Sequence, residues 1–234
     1  FTLAQGQAYN GFIAMIKPEA FEKRQGLYLL QPYDPNKIPV VFIHGLMSYP
    51  YTWVPMINSL FSDVSLNQKY QFWFYAYTTG NPVILNALRL RQTLLQAQSV
   101  FDPQGDDPSF SKMVLVGHSM GGVLSQLMVQ ESPEDLWIKT SRSNKPIEAL
   151  DATEDIKARL HAMFEFKPLP FVSRVVFLAT PHRGSESAEN WLGRLGSSLI
   201  SLPANTLLVF KNVLDAIGEL DEKKSDVKIT GIRS

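Results

Sequence analysis

Apolar residues along this chain follow two periods. Short unbroken runs of branched and aromatic residues read as buried strands, and stripes at three- and four-residue spacing read as helices packed on them. Gly26-Leu-Tyr-Leu-Leu30, closed by Pro32 and Pro35, reads as an edge strand. Ile38 to Ile43 and Val114 to Gly117 read as buried strands, Tyr70 to Tyr77 as a strand rich in aromatics, and Val172 to Ala179 as a strand of the central sheet. Trp53, Met56, Ile57, Leu60 and Phe61 share one helical face over 51–61. Asn81-Pro82 opens a further helix reaching to the neighbourhood of Ser99, with a capping residue and a first-turn proline. Two more amphipathic helices follow late in the chain. One carries Trp191, Leu192, Leu195, Leu199 and Ile200; the other carries Leu207, Phe210, Val213, Leu214 and Ile217. Phe12 to Ile16 fits a strand or a short helix, and Val227 to Ser234 a strand or a loop. Strands alternating with helices predict an α/β protein with a mostly parallel sheet, a single domain over 1–234.

One connection is out of scale. Residues 133–170 separate a helix from the next strand, where about 2–6 residues beyond the helix are usual. The segment mixes charge (Glu134, Asp135, Lys139, Arg142, Lys145) with a helical stripe of Ile156, Leu160, Met163 and Phe164. It is expected to be a lid or cap whose apolar face roofs a site; the alternative is surface decoration. His161 lies beside the stripe and reads as a surface or packing residue.

The chemistry concentrates at Val114-Leu-Val-Gly-His-Ser-Met-Gly-Gly122. A strand runs into Gly117-His118-Ser119-Met120-Gly121, and apolar residues then recur at helical spacing through Met128. This strand-to-helix context gives G-x-S-x-G its meaning: the turn is sharp, so small residues flank the serine at two positions on either side. Such a turn lifts the Ser119 hydroxyl above the sheet, beside a helix N-terminus that favours developing negative charge. The plainer alternative is an ordinary glycine-rich turn.

Three segments together carry a family resemblance: Gly117-His-Ser-Met-Gly-Gly122, His44-Gly45-Leu46, and Ala179-Thr-Pro-His-Arg-Gly-Ser185. The chain resembles the lipase/esterase branch of the α/β-hydrolase superfamily, and more narrowly bacterial lipase-like hydrolases and serine deacylases of lipid anchors. The resemblance extends over residues 26–200. It implies an α/β-hydrolase fold and a serine nucleophile, Ser119, that forms an acyl-enzyme from a carboxylic ester. In such an enzyme the oxyanion is held by one backbone N–H just after the nucleophile and one from the loop after an earlier strand. Those are the N–H groups of Met120 and Leu46. Gly45 lets backbone approach substrate with no Cβ in the way. His44, Gly45, Met47, His118 and His182 are candidate pocket residues, with His44 pointing into its own loop. The aromatic run ending at Tyr77 reads as core, an acyl-binding wall being the alternative.

A serine hydroxyl needs a base, and the base an orienting acid. In this superfamily the chain order is serine, acid, histidine. The four histidines are His44, His118, His161 and His182, and none follows a final strand. His182 fits loop-ordering or pocket-lining better than the base. Asp215, Asp221 and Asp226 follow Ser119 but sit in or beside helical runs. The acid and histidine are therefore expected beyond Ser234, with the last strands of the sheet; the alternative is a degenerate, non-catalytic binding module.

Composition narrows the partners. Basic and acidic residues balance at 22 each, which gives no electrostatic footprint for nucleic acid. With no cysteine there is neither a thiol nucleophile nor a disulfide framework. No run of about 18 apolar residues offers a membrane span, though membrane-surface contact fits a lipid substrate. The expected partner is a small-molecule ester or lipid, with no cofactor and no metal. The sequence starts at Phe1 with no Met and no leader pattern, a removed leader being the alternative left open, and a secreted or bacterial cell-envelope setting is preferred to the cytoplasm. Acyl length and oligomeric state are not written in the residues.

Overall fold

The computed structural model describes residues 25–79, 81–141 and 145–182. The expectations at Phe12–Ile16, at the helices of 191–200 and 207–217, at Asp215, Asp221 and Asp226, and at Val227–Ser234 lie outside the described residues.

Among the described residues, five strands form one mixed sheet. They are β1 (Gly26–Leu29), β2 (Ile38–Ile43), β3 (Tyr70–Ala76), β4 (Met113–His118) and β5 (Val172–Leu178). Their order across the sheet is β1-β3-β2-β4-β5. β1 runs antiparallel to β3, while β3, β2, β4 and β5 are mutually parallel. Their carboxyl ends therefore open on one side. From β2 the chain first adds β3 on one flank, then crosses back to add β4 on the other. The crevice between the ends of β2 and β4 is a topological switch point, where open α/β sheets place ligands.

Both faces of the sheet are covered at β2 and β3, which read as continuous apolar runs, whereas β5 is largely exposed among the described residues. On one face Val40, Phe42, Phe72, Phe74 and Val116 pack with Trp53 and Ile57. Trp53 ends a 3-10 turn, Pro50–Trp53, that leads into α1 (Val54–Ser62). On the other face Val41, Ile43, Trp73, Tyr75 and Leu115 pack with Leu90 and Leu94 of α3 (Val83–Phe101) and Leu124 and Met128 of α4 (Met120–Met128). The alternation along β2 shows a pleat with both sides buried.

The predicted 51–61 helix is present as the 3-10 turn running into α1, and a further short helix follows it. Asp63 accepts from the N–H groups of Ser65 and Leu66 and starts a separate α2 (Val64–Lys69). Met56, placed on the buried face by spacing, is instead 40% exposed. At α3 the capping residue is Pro82 rather than Asn81, and no side chain caps the helix. The Asn81 amide turns to Asn86, which in turn donates to the Thr78 carbonyl.

The long insertion contains α5 (Leu136–Ser141), a 3-10 turn at Ile147–Ala149, and α6 (Glu154–Phe164), which Thr153 caps. Leu160, Met163 and Phe164 of the predicted stripe pack with Trp137, Ile147 and with Leu85 and Leu88 of α3. The stripe is thus seated on the first turns of the helix that leaves the carboxyl end of β3. The base of the insertion is pinned by Ser132 N–H to the Phe166 carbonyl and by Leu169 N–H to the Met128 carbonyl. Among the described residues no helix is long and apolar enough to cross a membrane.

Candidate active site

Ser119 sits between β4 and α4 with φ 51° and ψ −120°, a backbone conformation that an L-residue adopts only when its surroundings enforce it. Glycines enforce it here. A Cβ on Gly117 would lie 2.5 Å from the Gly121 carbonyl oxygen and from Gly122 backbone. One on Gly121 would lie 2.2 Å from the Ile43 carbonyl oxygen and 2.5 Å from that of His44. Strand, turn and helix are in backbone contact, and only hydrogen fits between them.

Serine at the start of a helix ordinarily caps it with its hydroxyl. Ser119 does not: its hydroxyl makes no capping bond. The Ser119 carbonyl accepts from Gly122 N–H, and the Ser119 N–H donates to the Leu178 carbonyl at 2.9 Å, tying the turn to the end of β5. Among the described residues no group bonds the hydroxyl, and Ser119 is half-buried. Met120 is the first residue of α4, so its N–H precedes the helical hydrogen-bond ladder.

The loop after β2 closes on this serine. A Cβ built on Gly45 would come within 3.0 Å of the Ser119 Cβ and of His118 Nδ1, so Gly45 backbone lies directly against the Ser119 turn. Leu46 follows, partly buried against the core. Met47 has φ 53° and is 79% exposed.

The histidines separate by environment. His44 is buried and lies flat on Tyr77, ring centroids 4.4 Å apart. Its Nδ1 donates to the Gly45 carbonyl at 3.0 Å, since a carbonyl can only accept. Burial lowers its pKa from 6.5 to about 4, against a smaller opposing effect of the Gly45 bond. His118 is exposed and meets Trp53 edge-on. His161, in the insertion, is held between Glu148 and Glu165. His182 Nδ1 pairs with Gln126 Oε1 at 3.1 Å and its ring meets Phe177 edge-on. No imidazole among them bonds the Ser119 hydroxyl. Thr180, just before His182, lies over Gly122, where a Cβ would strike its Oγ1 at 1.9 Å. Arg183, Gly184 and Ser185 of the predicted motif lie outside the described residues. No group of three His, Asp or Glu among the described residues forms a metal site.

The buried His44 predicts a pH dependence. The folded state disfavours its proton, while the unfolded chain takes one up near pH 6.5. Stability is therefore full above that value and falls as pH drops toward about 4, by an amount on the order of 3 kcal/mol. Urea midpoints from pH 7 to pH 4 should fall more steeply in the wild type than in a His44→Gln protein. Equal slopes would exclude the effect.

No family model matches the chain, and no curated protein matches it. Among solved structures it is similar to lipase BlEst2 of Bacillus licheniformis. The propeptide form is 24% identical over 70% of this chain and 28% of that one, with a TM-score of 0.39. The mature form is 19% identical over 86% and 65%, with a TM-score of 0.40. Esterase B of Lactobacillus rhamnosis is 16% identical over 78% of this chain and 52% of that one, with a TM-score of 0.42. The chain spans under two-thirds of the length of each. These are distant likenesses, and the chain's own geometry carries the assignment. The described residues form a mostly parallel, helix-flanked sheet with a strained serine at the carboxyl end of β4, beside the switch point, which is the arrangement expected of an α/β-hydrolase sheet.

Proposed function

We propose that the protein is a serine hydrolase of carboxylic esters, with Ser119 as nucleophile. One observation carries this reading. Ser119 is held at φ 51° with its hydroxyl released from capping, while Gly45 backbone closes on its Cβ. A strained serine packed against the Gly45 backbone is poorly explained by stability alone, because strain of roughly 1–3 kcal/mol persists only when the surroundings enforce it.

The reaction follows from the parts. The Ser119 oxygen bonds to the ester carbonyl carbon as a general base takes its proton. The carbonyl electrons move onto oxygen, where the N–H groups of Leu46 and Met120 meet the developing charge. Collapse breaks the bond to the alcohol oxygen, and the alcohol leaves with the proton. Water then repeats the sequence on the acyl-enzyme and frees the acid. None of the four histidines of the sequence is assigned as the base in this proposal. Met47, exposed beside Leu46, His118 and His182 are assigned to the mouth of the site. The insertion is assigned to a cap. In support, it stands on α3, which leaves the sheet at the same end as Ser119. A small-molecule ester or a lipid presented at a membrane surface fits such a mouth.

The test is turnover of p-nitrophenyl esters by the full natural polypeptide. The proposal expects hydrolysis well above buffer; hydrolysis at the buffer rate across short and long acyl chains overturns it.

A further inference from the structure

The loop that meets Ser119 is gripped from both sides by one segment. Upstream of Gly45-Leu46, the Tyr77 hydroxyl donates to the His44 carbonyl at 2.7 Å. Downstream, Met47 N–H donates to Thr79 Oγ1 at 3.3 Å. Tyr77 and Thr79 both belong to the stretch that leaves β3. The loop is bracketed at residues 44 and 47, leaving Gly45 and Leu46 between two fixed points.

The bracket is stiff on the Tyr77 side. The Tyr77 ring is sandwiched between His44, 4.4 Å away at 18°, and Tyr75, 5.6 Å away at 15°. His44 locks to the Gly45 carbonyl through Nδ1. Tyr75 is fully buried, beside Arg89 and bonded to Thr93. The stack thus runs from the loop into the core between the sheet and α3. Met47, at φ 53°, holds a left-handed conformation that costs energy for a residue with a side chain. Its bond to Thr79 is the contact that secures its N–H there.

We infer that Tyr77 and Thr79 are positioning residues that set the direction of the Leu46 N–H toward the oxyanion. The inference rests on the reading of Ser119 as nucleophile. Neither side chain touches substrate in this account. They act through the loop, so their loss is felt where charge develops and little where substrate binds. Displacing a catalytic group by about 1 Å costs roughly 100-fold in rate.

The experiment compares Tyr77→Phe, Thr79→Val, Thr79→Ser and Tyr75→Phe in the full natural polypeptide on one p-nitrophenyl ester. Tyr77→Phe keeps the ring stack and removes one hydrogen bond. It is expected to lower kcat roughly 10- to 100-fold with KM within about twofold of wild type. Thr79→Val removes the second anchor at a half-buried position and should lower kcat roughly 3- to 10-fold. Thr79→Ser, which keeps the hydroxyl, should restore it. Tyr75→Phe also removes a buried hydroxyl from the same stack and should leave kcat unchanged, separating loop positioning from general loss of core bonding. Wild-type kcat in both Tyr77→Phe and Thr79→Val overturns the inference, provided Ser119→Ala is inactive; an active Ser119→Ala protein instead overturns the reading on which it rests. Should Tyr77→Phe fail to fold, Thr79→Val and Thr79→Ser decide: equal kcat in the two refutes the bracket.

Discussion

Ser119→Ala is expected to reduce ester turnover by a factor on the order of 10⁵ to 10⁶ while leaving the fold intact. The size follows from the role. A nucleophile is not one contributor among several: without it the base and the oxyanion donors have nothing to act on, and what remains is whatever catalysis binding and oxyanion stabilisation give to water. Stability should barely move, because the hydroxyl makes no capping bond. Alanine at φ 51° carries the same strain as serine, so the turn is kept. Activity assays with the melting temperature measured on the same sample check both halves. A large loss of kcat with an unchanged melting temperature is the expected pair. A parallel loss of both would make Ser119 a structural residue.

The second large effect is structural and belongs to Gly121. An added Cβ would sit 2.2 Å from the Ile43 carbonyl oxygen and 2.5 Å from that of His44. Both are backbone atoms at the end of β2, in the middle of the sheet, and cannot step aside as a flexible side chain could. Gly121→Ala should cost roughly 4 kcal/mol or more, in the range reserved for backbone clashes and buried defects. It should also separate the Gly45 loop from Ser119, so that any protein that folds is inactive. Gly105→Ala is the control. Gly105 has a positive φ of 73°, but the nearest heavy atom to its Cβ is 3.8 Å away. Its cost should be limited to left-handed strain, on the order of 1 kcal/mol. Denaturant midpoints for the two variants should differ widely; equal midpoints would mean that the close packing of β2 on α4 does not limit stability.

The parts of this protein that its sequence exposes are those governed by local periods. β2 runs over Ile38–Ile43 as its apolar run implies, and the strand–serine–helix turn falls where Gly117, Ser119 and Gly121 put it. Both depend on which residues are buried and which are small, and that is written in consecutive positions. Three features were less legible. The short helix α2 was not foreseen, because it buries no residue and rests on the Asp63 carboxylate accepting two N–H groups, an effect apolar spacing does not reveal. The stripe of Leu160, Met163 and Phe164 announces burial, but its partners on α3 lie some seventy residues earlier, and periodicity carries no address. Tyr77 read simply as the end of an aromatic strand. Its bond to the His44 carbonyl spans 33 positions and exists only because β2 and β3 are neighbours in the sheet. The base that a serine nucleophile needs was absent from the expected chain order, and the structure brings none of the four histidines onto the Ser119 hydroxyl.

The central claim is that Ser119 is the nucleophile, and covalent trapping tests it most directly. The full natural polypeptide would be treated with a fluorophosphonate ester, and its intact mass and peptide map recorded beside those of Ser119→Ala. One phosphonyl group on the peptide containing Ser119, with none on the variant, is the predicted result. An ester-hydrolysing protein labelled at another residue, or equally in the Ser119→Ala protein, would contradict it.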